Sequence, residues 1–196
     1  MFGSAAILAG GASSRFGSPK QLYELNGRPM VTVVAERLRG LFGGVFAAGW
    51  PHGLPAPDGL PCFEDIHVGK GALGGIHTAI TNAGGDWVFC CGCDMPLIQA
   101  TVIGRIIESI GDEDILLPVI NGTRQPLHAV YKRRILPMVE RLCTADSEFL
   151  PDLLARVEVR YLEEAWFADL PDYALSFVSM NDRLQLEKYR AELALL

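Results

Sequence analysis

Apolar residues along this chain fall into short runs separated by glycine-rich breaks, and the runs alternate between two spacings. Residues 5–9, Ala-Ala-Ile-Leu-Ala, form a continuous apolar run of the kind that marks a short strand buried on both faces. Residues 21–25 read as an extended piece, and Asn26-Gly27 is a turn signal. Pro29 opens a helical pattern through Val31, Val34, Ala35, Leu38 and Phe42, which Gly43-Gly44 is expected to stop. A strand over 45–48, a Gly- and Pro-rich loop over 49–61 and a short strand over 60–63 follow. A second glycine cluster leads into a helix over 73–82, ended by Gly84-Gly85. Residues 86–91, with Trp87, Val88 and Phe89, predict the most apolar strand. A helix over 98–110, a strand over 115–120 and a turn at Asn121-Gly122 come next. The remaining pattern predicts helices over 133–142 and 147–156 and strands over 157–162 and 174–178. An amphipathic helix over 181–195, capped by Asn181 or Asp182, closes the chain.

Strands alternating with helices predict an α/β fold: a single three-layer α/β/α domain over residues 1–196 with a mostly parallel sheet. Residues 121–131 have hairpin character and predict an antiparallel insertion. In such sheets ligands bind at the carboxyl ends of the strands. Three features fall at such ends: the loop at Gly10, Asp65 and Asp94.

The loop carries the clearest candidate chemistry. Residues 8–20 read Leu-Ala-Gly-Gly-Ala-Ser-Ser-Arg-Phe-Gly-Ser-Pro-Lys. A strand followed by glycines presents backbone N–H groups to phosphate, and Arg15 and Lys20 add full positive charge. A tight turn with incidental surface charges is the alternative. A P-loop fails because Lys20 is followed by Gln21, and a dinucleotide fingerprint fails because Ala12 and Ser13 stand where its spacing needs glycine.

Composition narrows the ligand. The 196 residues carry a formal net charge of −6, 49% hydrophobic and 20% charged residues. That balance excludes a general nucleic-acid binder, and an acidic chain that gathers cations in one loop suits a small anionic ligand. No apolar run approaches the ~20 residues of a membrane span, and the N-terminus has no basic leader of a secreted protein. Five cysteines, three crowded at Cys90, Cys91 and Cys93, lack paired Cys-x-x-Cys motifs or a neighbouring His motif. They predict buried free thiols of a cytoplasmic protein rather than zinc ligands.

The pattern Leu-Ala-Gly-Gly-x-Ser-x-Arg-Phe-Gly-x-x-Lys resembles the signature of the molybdenum cofactor guanylyltransferase family. Cys93-Asp94-Met95-Pro96 resembles that family's metal motif. Gly71-Ala72-Leu73-Gly74-Gly75-Ile76 resembles its Gly-Pro-Leu-Ala/Gly-Gly-Ile segment, with Ala72 replacing proline. Gln125-Pro126-Leu127-His128-Ala129-Val130-Tyr131 resembles the segment at which the second substrate lies. Of the family's C-terminal Asn-x-Asn only Asn181 remains, with Ser179 in the first position. Ala47-Ala48-Gly49-Trp50 stands where the family places an asparagine. The resemblance spans nearly the whole chain, in order, and implies a Rossmann-like nucleotidyltransferase fold.

It also implies roles. Leu8, Ala9, Gly10, Gly11, Lys20, Asp65, Gly71, Gly75 and Asp94 would bind nucleotide, with Arg15, Lys20 and Asp94 catalytic. Asp94 would hold Mg²⁺, a hard cation that takes carboxylate and phosphate oxygens together; the alternative is an N-cap for a helix starting near Pro96. Asp65 would contact the nucleotide, or be a solvated loop carboxylate. The 71–75 glycines would lie near base or ribose, or serve helix packing. Arg124, His128 and Asn181 would meet the second substrate, though His128 also reads as a satisfied strand histidine.

The implied reaction transfers GMP from GTP to the terminal phosphate of molybdopterin carrying molybdenum (Mo-molybdopterin), releasing pyrophosphate. Molybdoenzyme maturation proteins are the implied partners. A phosphate nucleophile needs no protein base, consistent with the lack of a Ser-His-Asp or Cys-His arrangement. Gly10, where related cytidylyltransferases usually carry alanine, leaves room for a purine. The other readings are a cytidylyltransferase on the same pterin, a nucleotidyltransferase on another phosphorylated small molecule, and a non-catalytic nucleotide or cofactor carrier.

Overall fold

In the computed structural model, which describes residues 2–10, 19–145 and 150–196, strand β1 (Phe2–Leu8) runs through the middle of the sheet. A small hairpin, β2 (Glu24–Leu25) and β3 (Arg28–Pro29), turns at Asn26-Gly27, both with positive φ, 51° and 75°. That is the turn whose twist matches a hairpin. Helix α1 (Met30–Leu38), β4 (Phe42–Ala48), β5 (Cys62–Phe63), α2 (Gly71–Asn82) and β6 (Trp87–Gly92) follow. Then come α3 (Ala100–Glu108), β7 (Ile115–Ile120), β8 (Thr123–Arg124), β9 (His128–Lys132) and α4 (Leu136–Thr144). The chain ends with α5 (Leu150–Leu154), β10 (Val159–Glu163), α6 (Arg183–Lys188) and α7 (Arg190–Leu193).

The sheet order is β10-β7-β9-β6-β1-β4-β5, with β8 beside β7. β1 pairs in parallel with both β4 and β6, and β10 with β7; β9 runs antiparallel between β6 and β7. The predicted parallel sheet with an antiparallel insertion is therefore the observed one. From β1 the chain moves to β4 on one side and later returns to β6 on the other. The crevice at their carboxyl ends is the switch point where such folds bind ligands.

Alternation along β1 fills two cores. Ala5, Ile7 and Ala9 join Val34, Leu38, Ile103 and Ile106 from α1 and α3. Ala6 and Leu8 join Ile76, Ile80, Val139 and Leu142 from α2 and α4 on the other face. Helices on both faces explain why the central strands read as unbroken apolar runs. A third, smaller core joins Leu25, Met30 and Val33 to Leu97, Met180 and Leu193. It ties the hairpin and α1 to the C-terminus, helped by the Asn26 amide donating to the Leu193 carbonyl at 2.9 Å.

Several local expectations are corrected. Gly43 and Gly44 do not stop α1; it ends at Leu38, Gly40 turns the chain at φ 102°, and both glycines lie inside β4. Residues 174–178 form no strand but part of a 3-10 helix, Tyr173–Phe177, which starts from left-handed Asp172. Its Ser176 hydroxyl accepts from the Gln99 amide at the start of α3. Residues 21 and 22 of the expected extended piece likewise lie in a 3-10 turn, Lys20–Leu22. The closing helix breaks at Tyr189 into α6 and α7, with Asp182 as the N-cap. Of the helix expected over 147–156, residues 147–149 lie outside the described residues.

Candidate active site

Leu8 at the end of β1 stands level with Gly92 at the end of β6, and the Cys93 amide donates to the Leu8 carbonyl at 3.1 Å. Asp94 thus hangs at the mouth of the crevice. Its carboxylate folds back over the strand end, and a methyl at Gly92 would overlap Asp94 Oδ1. Lys20, on the 3-10 turn before the hairpin, reaches across. Its Nζ donates to Asp94 Oδ2 at 2.5 Å and to Asn181 Oδ1 at 2.6 Å. The two side chains of the ion pair keep 15% and 14% exposure, enough to meet a ligand yet shielded enough that the charges act strongly. Asn181 is fixed from behind: the Met180 amide donates to the Asp94 carbonyl at 2.7 Å, and Met180 anchors the third core.

Asp65, after β5, has a different setting. Thr78 Oγ1 donates to its Oδ1 at 3.1 Å from α2, while Oδ2 accepts no hydrogen bond among the described residues. Three glycines make room for it. A Cβ at Gly10 would lie 3.4 Å from Asp65 Oδ2, one at Gly49 3.1 Å from Oδ1, and one at Gly74 3.6 Å from Oδ2. Gly49 has φ +74°, which favours glycine in any case. Burial holds the Asp65 carboxyl above the usual carboxylate range; the Thr78 bond and the positive fields of His77 and His67 oppose the shift.

The sequence model of the MobA-like NTP transferase domain matches residues 5–160. The chain belongs to this family. It is 30% identical to a probable molybdenum cofactor guanylyltransferase of Peptoclostridium acidaminophilum, over 96% of this chain and 89% of that protein. It is also 30% identical to a molybdenum cofactor guanylyltransferase of Desulfosudis oleivorans, over 94% of this chain and 93% of the relative. Among solved structures, molybdopterin-guanine dinucleotide biosynthesis protein A from Archaeoglobus fulgidus superposes with a TM-score of 0.81. That match covers 98% of this chain and all of the other at 20% identity. A 2-C-methyl-D-erythritol 4-phosphate cytidylyltransferase from Thermus thermophilus gives 0.71 at 16% identity, over 99% and 100%.

In this MobA-like chain the remaining expected residues divide into those at the crevice and those elsewhere. Asp94 is not the N-cap of the following helix, since α3 starts only at Ala100 behind Gln99. Leu8 and Ala9 are buried, and Ala9 donates its amide to the Ala48 carbonyl, so they shape the crevice through backbone. Gly75 is a packing residue: its Cβ would meet Leu8 at 3.4 Å, which lets α2 lie close on β1. Gly71 begins α2 at φ +53°, with nothing within 4 Å of a Cβ there. Gly11 and Arg15 lie outside the described residues.

Two second-substrate candidates stand apart from Asn181. Arg124, on β8, stacks its guanidinium over Tyr161 at 5.2 Å, on the β7–β10 side of the sheet. His128 corrects the expectation twice over. It is fully buried, with its ring edge-on to Phe89 at 5.2 Å and 4.5 Å from the Phe177 ring. Neither ring nitrogen has a hydrogen-bond partner among the described residues, so it is neither exposed to a substrate nor satisfied. Burial lowers its pKa to about 3, keeping the imidazole neutral. The cysteines meet expectation: Cys90, Cys91 and Cys93 are free and buried, with burial pushing the Cys93 thiol up to about 12.

Asp94 and Asn181 offer one carboxylate and one amide oxygen that already converge on a single cation, the Lys20 ammonium. Hard oxygen donors at one corner fit Mg²⁺, which binds through one or two carboxylates plus phosphate and water. Three contributors escaped the sequence reading: Gly92, Gly49 and Thr78. For Gly92 a signal existed, since a glycine inside an apolar strand marks close approach of another group.

Proposed function

We propose that this MobA-like protein is a Mg²⁺-dependent molybdenum cofactor guanylyltransferase, with residues 1–196 as one nucleotidyltransferase domain. The observation that carries the reading is the convergence of Lys20, Asp94 and Asn181 at the switch point, together with relatives that bear this name over nearly their full length. An oxygen of the terminal phosphate of Mo-molybdopterin attacks the α-phosphorus of GTP. The bond from that phosphorus to the α,β-bridging oxygen breaks, and its electron pair leaves with pyrophosphate. The attacking oxygen is already ionised, so no side chain need accept a proton.

The protein's task is to bring two anions together and neutralise them. Lys20 exchanges its carboxylate partner for phosphate oxygens as nucleotide enters. Asp94, with Asn181, would hold Mg²⁺, which supplies charge neutralisation on the phosphates. Asp65 takes the base: guanine presents N1–H and N2–H₂ as adjacent donors, and Asp65 Oδ2 has acceptor capacity to spare. Cytosine offers a single amino donor on its pairing edge. Gly10 serves purine selection indirectly, because the space it leaves is the space beside Asp65 Oδ2. Arg15, from the same loop, would add phosphate charge, and Gly11 backbone contacts.

Among the described residues no helix is long and apolar enough to cross a membrane. Five free cysteines support a reducing, cytoplasmic setting. Delivery of the guanine dinucleotide form of the cofactor to molybdoenzyme maturation proteins belongs to the same proposal. The test is pyrophosphate release with GTP, CTP, ATP and UTP, each with Mo-molybdopterin and Mg²⁺. Release with GTP alone is the expected result. Release with CTP alone would keep the chemistry and overturn the base; GTP binding without release would favour a carrier.

A further inference from the structure

Beside α2, three side chains from three separate segments meet. His67 comes from the loop after β5, His77 from the middle of α2 and Glu140 from α4. His67 Nε2 lies 3.1 Å from Glu140 Oε2, and His77 Nε2 contacts the same oxygen. The two imidazoles meet edge to face with centroids 4.6 Å apart, and the three donor atoms lie within 4.8 Å of one another. From these contacts we propose that His67, His77 and Glu140 form a binding site for a Zn²⁺-class divalent transition metal ion, distinct from the oxygen-donor corner at Asp94.

Donor chemistry and spacing both favour this. Two imidazole nitrogens and one carboxylate oxygen are a donor set zinc takes readily, with a fourth position left for water. Tetrahedral bonds of about 2.0–2.2 Å place neighbouring donor atoms roughly 3.3–3.5 Å apart. The Glu140 oxygen lies closer than that to both nitrogens, so the carboxylate moves outward when an ion enters between them. Exposure is graded across the site. The His77 side chain is 4% exposed, His67 18% and Glu140 48%, so two nitrogens are shielded and the carboxylate side opens to solvent. Without an ion, one oxygen must serve both nitrogens, while His77 Nδ1 is buried without a partner among the described residues.

The ion would cross-link the loop that carries Asp65 to α2 and α4. That loop already lies flat on α2: a Cβ at Gly74 would sit 2.8 Å from the His67 carbonyl. Cys143, one turn beyond Glu140 on α4, is a competing ligand to separate by experiment. Burial pushes its thiol up to about 11, which disfavours the thiolate a metal needs.

The test uses metals alone, on the full-length reduced protein, with no nucleotide. Zn²⁺ affinity is measured by competition with a chromophoric chelator, and the ligand type is read from the Co²⁺ spectrum. One ion per chain is expected, with Co²⁺ d–d bands of a four- or five-coordinate site and no thiolate charge-transfer band. Glu140→Gln and His67→Ala, at the two more exposed of the three ligands, should weaken binding by about 10-fold to 100-fold or more. At equal concentration Zn²⁺ should raise the Tm of the wild type more than that of these variants. No binding beyond that of the variants would overturn the proposal. So would a thiolate charge-transfer band, or wild-type affinity in Glu140→Gln and His67→Ala. Failure of guanylyl transfer would leave it untouched, since none of these readouts involves nucleotide.

Discussion

Asp65 and Asp94 both follow sheet strands at the same end of the molecule, yet their surroundings share almost nothing. Asp94 faces a lysine and an amide, and glycine at position 92 lets it fold over the strand end. Asp65 has a threonine hydroxyl as its direct partner, is walled by glycines, and has its carboxyl pushed up by burial. Environment sorts two identical groups into two tasks. The one paired with a cation suits phosphates and a metal; the one with a spare oxygen in a wall of glycines suits the donor edge of a base. The difference also shows what each site demands of the rest of the chain. The Asp94 corner needs a segment from the far end of the sequence, whereas the Asp65 corner needs absent side chains.

The strongest way to break this contrast is at the charged corner. Lys20→Ala or Asp94→Asn should lower turnover by about 10²–10³-fold, the usual effect of removing charge stabilisation from a developing leaving group. Asp94→Asn should also raise the Mg²⁺ concentration needed for half-maximal rate, with Tm close to wild type. Pyrophosphate-release kinetics over a Mg²⁺ titration check both. Next in size is Asp65→Asn, which should cost about 10–100-fold in kcat/KM for GTP, the range of one bidentate base contact, with the Mg²⁺ requirement unchanged. Competition between GTP and CTP measures it.

Smaller effects probe the walls. Gly49→Ala puts a side chain at φ +74° and 3.1 Å from Asp65 Oδ1, so a loss of about 1–2 kcal/mol in denaturant unfolding is expected, with weaker GTP preference. His128→Leu should leave stability at pH 7 unchanged or higher by about 1 kcal/mol, since two unpartnered nitrogens are removed. Its signature lies in acid. With a folded pKa of about 3 against the ordinary histidine value of 6.5, only the unfolded chain takes up this proton between those values. Wild-type stability should fall on this account by about 1.4 kcal/mol per pH unit as pH drops below 6.5 toward 3. Unfolding curves of the variant over that range should lack this contribution.

How much of this was legible in the sequence follows from the range of each interaction. β1 and β6 are buried on both faces, so they read as unbroken apolar runs, and the residues at their ends announce themselves. Residues 174–178 read as a strand because a short apolar run carries no period long enough to separate strand from helical turn. Lys20 and Asp94 are 74 positions apart, and Lys20 and Asn181 are 161 apart, so their pairing exists only once the third core brings the C-terminus to the hairpin. His67 and Glu140 are 73 apart and belong to no spacing motif. Sequence alone leaves His128 open between a substrate contact and a satisfied strand histidine, because the rings of Phe89 and Phe177 that close over it come from distant segments.

The division of labour between the carboxylates is tested most directly by steady-state kinetics of Asp65→Asn and Asp94→Asn, each with GTP and CTP across a Mg²⁺ titration. Asp65→Asn should lower the GTP-to-CTP ratio of kcat/KM by about tenfold or more at an unchanged Mg²⁺ requirement. Asp94→Asn should do the reverse, keeping the ratio while turnover falls and the Mg²⁺ requirement rises. A wild-type ratio in Asp65→Asn, or both readouts moving together in both variants, would contradict the account.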